Sequence, residues 1–373
     1  MKQTIIAINR LKRLIQYVDA CILVDAPEIN MRLLKWIRKH PSPNIRHKVI
    51  IYLAPPQVWA WRQHRIKLLS KATMIGCLFK FEVRWFHSKG LMAQYIGHPL
   101  VKTSQSPSLL QDNKLNESAS HSHPTCKFLA FFPGSRKSSV KRTMPLGLKA
   151  FSELCTLLNL DIHIQLAHTK WVQARVYLQA QKAFEKYLRK KHWTKVDSPT
   201  HMPSRLTHTQ LRSDSLESLV TWQSPQGYNL SLEYISTPHQ PLETSLNHQR
   251  HPALEQVTIA LCHAGTATLE CALSGVIPIT IAPLSWLSSF IAKKLIKIEQ
   301  VSLPNLCLQQ KIFPELVLED CQASKIAEIM CNTLHSEDSF QAALLELLQI
   351  MKPLTRESLE PSFKRSLSID NNL

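Results

Sequence analysis

Short apolar runs alternate with polar turns over the first hundred residues. CILV (Cys21–Val24) stops at Asp25, and VIIYL (Val49–Leu53) stops at the segment APPQVWAW. Uninterrupted apolar runs bounded by turn residues are the pattern of strands buried on both faces of a parallel sheet. Helical segments are expected after each, over Asn30–Lys39 and over Gln63–Ser70, so residues 21–100 read as part of a doubly wound domain. A second α/β domain opens with KFLAFFPGSR (Lys127–Arg136). It continues through a helix near Leu146–Leu158, the strand-like DIHIQLA (Asp161–Ala167) and a helix over Trp171–Arg189. The longest apolar stretch is VTIALCHAGTATLECALSGVIPITIA (Val257–Ala282), punctuated by Gly265, Gly275 and Pro278. It reads as buried strand, glycine turn, helix and second buried strand.

Two polar segments separate these blocks. Thr103–Thr125 is rich in Ser, Asn and His and reads as a linker. Residues 197–255 show no helical or strand period and read as mostly loop. The expected organisation is therefore a domain over 1–102, a linker over 103–126, a second domain over 127–335 that carries the insertion 197–255, and a helical segment and tail over 336–373. The start, IIAINRLKRLIQY, puts Ile5, Ile8, Leu11 and Ile15 on one helical face with Arg10, Lys12 and Arg13 mostly away from it. Such a basic amphipathic helix suits either a sheet-covering role or contact with a membrane surface. The Val257–Ala282 stretch is not read as a membrane span, because Glu270 near its middle is costly in hydrocarbon and Gly275 with Pro278 punctuates it.

Composition narrows the class. The chain has 373 residues at 44% hydrophobic content, enough for two domains with separate cores. Lys and Arg outnumber Asp and Glu by 45 to 27, a formal charge of +18 that favours anionic partners: nucleic acid, acidic phospholipid or a phosphorylated substrate. Nine cysteines without a CxxC pair, and no long apolar leader, point to a reducing cytosolic compartment. The histidines lack zinc-like spacing, and no metal site or other cofactor is expected.

The candidate chemistry sits at the ends of the apolar runs. Asp25 closes a strand where open α/β sheets gather ligand-binding residues, so it reads either as a general base or as a turn and cap residue. PQVWAWRQHR (Pro56–Arg65) supplies Trp59 and Trp61 as flat faces for a sugar or acyl chain, or as packing anchors, and Arg62 as a cation for phosphate. In FFPGSR, Gly134, Ser135 and Arg136 offer a tight turn, a hydroxyl and a guanidinium able to grip phosphate. The Gly265–Thr266 turn leads into a helix N-terminus that attracts phosphate. Glu270, about one turn on, can accept hydrogen bonds from sugar hydroxyls, or it is simply a solvated helix residue.

Taken in order, VDAPEIN (Val24–Asn30), PPQVWAWRQHR, YIGHPL (Tyr95–Leu100), FFPGSR, AGTATLECAL (Ala264–Leu273) and VSLPNL (Val301–Leu306) resemble lipid-A-disaccharide synthases. These are inverting, metal-independent glycosyltransferases of the two-Rossmann, GT-B type. The resemblance implies an α/β protein of two Rossmann-like domains. The activity it implies is transfer of 2,3-diacylglucosamine from its UDP conjugate to 2,3-diacylglucosamine 1-phosphate, giving a β-1,6 disaccharide and UDP. By similarity, Asp25 deprotonates or orients the acceptor hydroxyl. Asn30, Trp59, Trp61, Arg62 and His98 line the acceptor side of a cleft between the domains. Gly134, Ser135, Arg136, Gly265 and Thr266 meet the diphosphate, Glu270 holds the ribose, and Asn305 completes the donor side. The family's membrane-contacting helical region corresponds to the helix carrying Ile5, Ile8, Leu11 and Ile15, implying a peripheral location on the cytoplasmic face of the bacterial inner membrane and an acidic lipid surface as partner. A homodimer is compatible with this reading.

The chain departs from the family pattern in places. The family normally begins with a further strand and a G-E-x-S-G-D loop, so the first domain is expected to be incomplete. Ser139 stands where a Glu is common, and Ala282-Pro283-Leu284 replaces a Gly-Tyr-Arg-like segment. These departures keep open a non-catalytic remnant that binds lipid or nucleotide sugar. A different UDP-sugar enzyme such as an epimerase is a further alternative. A nucleic-acid binder fits the charge but lacks a recognition helix, zinc finger or stacked-aromatic module.

Overall fold

The computed structural model describes residues 2–55, 58–60, 62–101, 126–169, 172–196, 219–236, 254, 257–283 and 300–351. The Thr103–Thr125 linker, Trp61 and the tail beyond residue 351 lie outside the described residues. Two compact units result, one from residues up to 101 and one from 126–283 with 300–349.

The first unit runs α1 (Lys2–Leu14), β1 (Ala20–Val24), α2 (Pro27–Arg38), β2 (Val49–Leu53), β3 (Met74–Cys77), α3 (Lys80–Ser88) and β4 (Ala93–Tyr95), with single helical turns at Pro43–Arg46 and Ile66–Leu69. Its four strands lie in chain order and every pair is parallel. The expectation of strands buried on both faces holds for β2, where Ile50, Ile51 and Tyr52 are buried, but not for β1. Cys21 and Leu23 face the core, whereas Ile22 and Val24 on the other side of this edge strand are 48% and 58% exposed. At the amino ends of the strands the Arg38 guanidinium donates to the carbonyls of Arg46, Lys48 and Lys71 at 2.6, 2.9 and 2.7 Å, tying α2 to the loops that precede β2 and β3.

The face expected on α1 is split by its packing. Ile8 and Ile15 are seven residues apart and almost in line, and both enter the core. Ile5 and Leu11 sit about 60° to either side of Ile8 at 100° per residue, and they are 51% and 37% exposed, next to Ile6 at 66% and Leu14 at 55%. The membrane-facing reading is therefore corrected for Ile8 and Ile15, which are covered by protein.

The second unit runs β5 (Cys126–Phe132), α4 (Lys137–Leu158), β6 (Asp161–His168), α5 (Ala174–Lys190), β7 (Thr194–Val196), β8 (Leu219–Gln223), β9 (Asn229–Ser236), β10 (Ile259–His263), α6 (Thr266–Leu273), β11 (Ile277–Ala282), α7 (Leu303–Leu308), β12 (Glu315–Val317), α8 (Ala323–His335) and α9 (Gln341–Ile350). The strand order is β12-β11-β10-β5-β6-β9-β8-β7. The pairs from β12 through β9 are parallel, and β8 and β7 add antiparallel. Part of the 197–255 stretch, expected as loop, thus enters the sheet. In β9 the apolar residues Leu230, Leu232 and Tyr234 alternate with Ser231 and Glu233, a period of two embedded in polar surroundings.

Helix α4 starts nine residues earlier than Leu146 and passes through Pro145. Proline argues against a helix interior, but Val140, Met144, Leu148 and Phe151 form one buried stripe whose packing outweighs the lost hydrogen bond. Gly147 belongs to the same contact, because a Cβ there would lie 2.3 Å from Cζ of Phe131 on β5. Gly147→Ala is expected to lower the unfolding free energy by about 1–3 kcal/mol through overpacking, although alanine would otherwise favour the helix by about 1 kcal/mol. Urea denaturation of both proteins checks the sign.

Candidate functional site

In the second unit the site follows from topology. The chain leaves β5 for β6 on one side and, after β9, returns to place β10 on the other, so the order reverses between β5 and β10. Open parallel sheets leave a crevice at such a switch point, beyond the carboxyl ends of the strands. Cys262 pairs with Phe132, which sets the turn after β5 beside the turn after β10. The sequence motifs PGSR and HAGT are those two turns.

Each turn opens a helix. Arg136 is the N-cap of α4 in extended backbone, and Gly265 is the N-cap of α6. Neither end has a side-chain cap, so first-turn N–H groups of both helices remain available to an anion. Gly134 has φ 105°, a conformation suited to glycine, and a Cβ there would lie 2.7 Å from Cβ of Ser139. Ser135, Arg136, Gly265 and Thr266 are all exposed on this rim. Thr268 is buried and its Oγ1 donates to the Gly265 carbonyl at 2.8 Å, bracing the turn. Glu270 is half-buried one turn into α6 and already engaged within the protein. The structure thus brings Gly134, Ser135, Arg136, Gly265 and Thr266 to one edge, with Glu270 on the helix behind.

His263 was not singled out from the sequence. It is half-buried between the two turns, with its ring carbon Cγ 3.4 Å from where a Gly134 Cβ would stand. Burial, with Arg142 and Arg136 nearby, holds its pKa below the ordinary 6.5, and its Nδ1 donates to the Ala264 carbonyl at 3.0 Å. A lone histidine in an apolar strand gives no sequence signal of this kind.

Asn305 is corrected. It is fully buried, its Oδ1 accepts the Ile312 and Phe313 N–H groups, and its Nδ2 donates to the Phe313 carbonyl and to Glu315 Oε1. All four hydrogen-bonding positions of the amide are filled, so its side chain fastens α7 to β12 and has none left for a ligand.

In the first unit Asp25 stands exposed just past β1. Asp25, Ala26 and Ala54, at the carboxyl ends of β1 and β2, all have left-handed backbone, with φ 41°, 37° and 51°. Residues with a Cβ enter this region at about 1–2 kcal/mol each, and such strain concentrates at functional sites. Asn30, expected on the acceptor side, is 8% exposed and sits beneath this turn, with Nδ2 donating to the Val24 and Asp25 carbonyls at 2.9 and 2.8 Å. Its amide nitrogen therefore serves the turn. Tyr52, missed in the sequence because it lies in an apolar strand, is fully buried and donates to the same Asp25 carbonyl at 2.7 Å.

The remaining acceptor-side residues form an aromatic cluster. Trp59 packs edge-on to Phe81 at 5.0 Å, Phe81 stacks on Phe79 at 5.5 Å, and Phe79 meets the His98 ring at 5.1 Å. His98 is buried and neutral, its pKa pushed down to about 4 by desolvation, and its Nδ1 accepts the Leu100 N–H, which puts the ring proton on Nε2. Arg62 is half-buried and engaged within the protein. Glu82, also missed, lies at the start of α3 and is 5% exposed, and its carboxylate accepts the Phe79 N–H and a side-chain hydrogen bond from Trp59.

Each unit is an α/β fold with candidate ligand-facing turns beyond the carboxyl ends of its parallel strands: two helix starts without side-chain caps in one, and an exposed carboxylate on left-handed backbone in the other. The family model described as lipid-A-disaccharide synthetase matches residues 2–196 and 211–360, and the chain belongs to that family. The lipid-A-disaccharide synthase of Nitrosococcus oceani is 27% identical over 331 residues, 87% of this chain and 68% of that protein. Its counterpart in Acinetobacter baylyi is 29% identical over 324 residues, 86% of this chain and 68% of that protein. The chain thus spans about two thirds of these relatives. Among solved structures, an α,α-trehalose-phosphate synthase (UDP-forming) from Burkholderia vietnamiensis has a TM-score of 0.49 and 9% identity, covering 98% of this chain and 78% of that one.

Glu82 gives a test of the aromatic cluster. Desolvation pushes its carboxyl from 4.5 to about 7, against the hydrogen bonds from Phe79, Leu78 and Trp59. Between those pH values the folded protein keeps a proton that the unfolded chain has lost. Its contribution to stability is therefore complete below pH 4.5 and is lost as pH rises through 7. The unfolding free energy of the wild type relative to Glu82→Gln is expected to fall by about 3 kcal/mol across that window, as measured by denaturant titration at a series of pH values.

Proposed function

We propose that the chain transfers 2,3-diacylglucosamine from its UDP conjugate to 2,3-diacylglucosamine 1-phosphate, forming the β-1,6 lipid A disaccharide 1-phosphate and UDP. The observation that carries this reading is the side-by-side placement of the PGSR and HAGT turns at the switch point between β5 and β10. A diphosphate laid across them meets the N–H groups of two helix starts and the Arg136 guanidinium, which neutralise the charge that builds on departing UDP without a metal. Glu270, on the helix behind, takes the ribose hydroxyls. Asp25 accepts the proton of the acceptor 6-hydroxyl as that oxygen attacks the anomeric carbon. Attack from the face opposite the leaving UDP inverts that centre.

The acyl chains and the charge connect to α1. Ile5, Ile6, Leu11 and Leu14 are exposed beside the exposed cations Arg10 and Arg13, an arrangement suited to a lipid interface, and no described helix is long and apolar enough to cross a membrane. This supports a peripheral position on an acidic membrane face, where both lipid sugars reside.

Purified protein incubated with the two lipid sugars is expected to release UDP and form the disaccharide, followed by mass spectrometry. Binding without turnover would sink the catalytic reading and leave a sugar-nucleotide binder. Asp25→Asn is expected to lower kcat by about 100-fold or more with little change in KM. Glu270→Ala and Arg136→Ala should instead act on the donor, raising KM for the UDP-sugar by about tenfold. Equal losses of kcat in all three variants would contradict this division of roles.

A further inference from the structure

Two buried side chains converge on one backbone carbonyl. The Tyr52 hydroxyl and the Asn30 amide both donate to the Asp25 oxygen, at 2.7 and 2.8 Å, and the same Asn30 nitrogen reaches the Val24 oxygen at 2.9 Å. Tyr52 is fully buried in β2 and Asn30 is 8% exposed on α2, so both are fixed by the core of the unit. What they hold is a residue that resists being held: Asp25 and Ala26 follow one another with positive φ, in a turn that glycine would enter freely. A further bond from the Asp25 N–H to the Leu53 carbonyl at 3.0 Å fixes the other side of the same residue. The Asp25 side chain, in contrast, is exposed. A phenylalanine at position 52 would fill the same space, and a hydroxyl brought into a core needs a partner. Here that partner is the Asp25 carbonyl, within the left-handed turn.

We propose that Tyr52 and Asn30 form a clamp on the Asp25 peptide that locks the left-handed turn, making Tyr52 a positioning residue for glycosyl transfer. The proposal rests on the reading of Asp25 as the base. Without the phenol, the Asp25–Ala26 turn relaxes toward ordinary backbone and the carboxylate loses its fixed aim at the acceptor hydroxyl. Substrate contacts are untouched, so the loss falls on turnover.

Tyr52→Phe is expected to reduce kcat by about tenfold or more, with KM for both lipid sugars within about twofold of wild type. In an Asp25→Asn background the same change is expected to have no further effect on kcat, because the group it aims is gone. A separate readout does not use activity. Ala26→Gly removes part of the strain, so Tyr52→Phe should lower the melting temperature less in the Ala26→Gly protein than in the wild type. Wild-type kcat in Tyr52→Phe, in a protein whose Asp25→Asn variant is inactive, overturns the clamp alone. Full activity in Asp25→Asn overturns the base reading beneath it, and the melting comparison then still reports whether the turn is held by Tyr52. Equal drops in melting temperature in both backgrounds overturn the clamp as a device against backbone strain.

Discussion

Parallel pairing of β5 with β10 is the contact on which the second unit's chemistry depends. Phe132 and Cys262 are far apart in the chain, yet their register places the next few residues of both strands at a common edge. Everything charged or glycine-containing near that edge follows: the Arg136 cap, the Gly265 cap, the Gly134 turn and His263 between them. A slip of one residue would point His263 the other way and separate the two helix starts. The apolar contacts that prevent a slip are the buried Ala130, Phe132, Ala260 and Cys262, which form one cluster with Cys271 of α6. Hydrophobic packing thus sets the position of two helix starts whose first-turn N–H groups have no side-chain cap.

The two units solve the same problem of a sharp turn after a strand by different chemistry. After β5 the left-handed residue is Gly134, which needs no support. After β1 and β2 the left-handed residues are Asp25, Ala26 and Ala54, and each turn is tied down by hydrogen bonds: Asp25 N–H to the Leu53 carbonyl, Ala54 N–H to the Gly76 carbonyl, and Tyr52 with Asn30 on the Asp25 oxygen. In this chain of eight glycines the Asp25 turn is held by side-chain donors and the Ala54 turn by a backbone N–H. The buried polar groups of β2 and α2 find their reason there.

Much of this was legible in the sequence, and the parts that were not share a cause. Strand–turn–helix order and the PGSR and AGTATLE turns could be read because apolar runs and glycine mark them locally. Asn305 could be recognised as a motif member, but its motif position could not reveal that neighbouring N–H groups and Glu315 fill its amide. Tyr52 and Glu82 were silent because each looks like ordinary core or helix surface until folding supplies a carbonyl or an indole opposite it. Strand β9 was hidden for the reverse reason, since its alternation is short and flanked by polar residues on both sides. Ile8 and Ile15 could not be separated from Ile5 and Leu11 by period alone, because the width of the covered stripe is set by what packs against it.

The insertion that carries β8 and β9 joins the sheet on the far side of β6 from β5. It widens the sheet laterally, with the three parallel strands β9, β6 and β5 standing between the antiparallel edge and the switch point, and the sheet closes with the three-residue β7. Strands β8 and β7 thus lie at a margin of the sheet set apart from the turns after β5 and β10. The edge that takes up the insertion and the crevice at the switch point therefore belong to one continuous sheet.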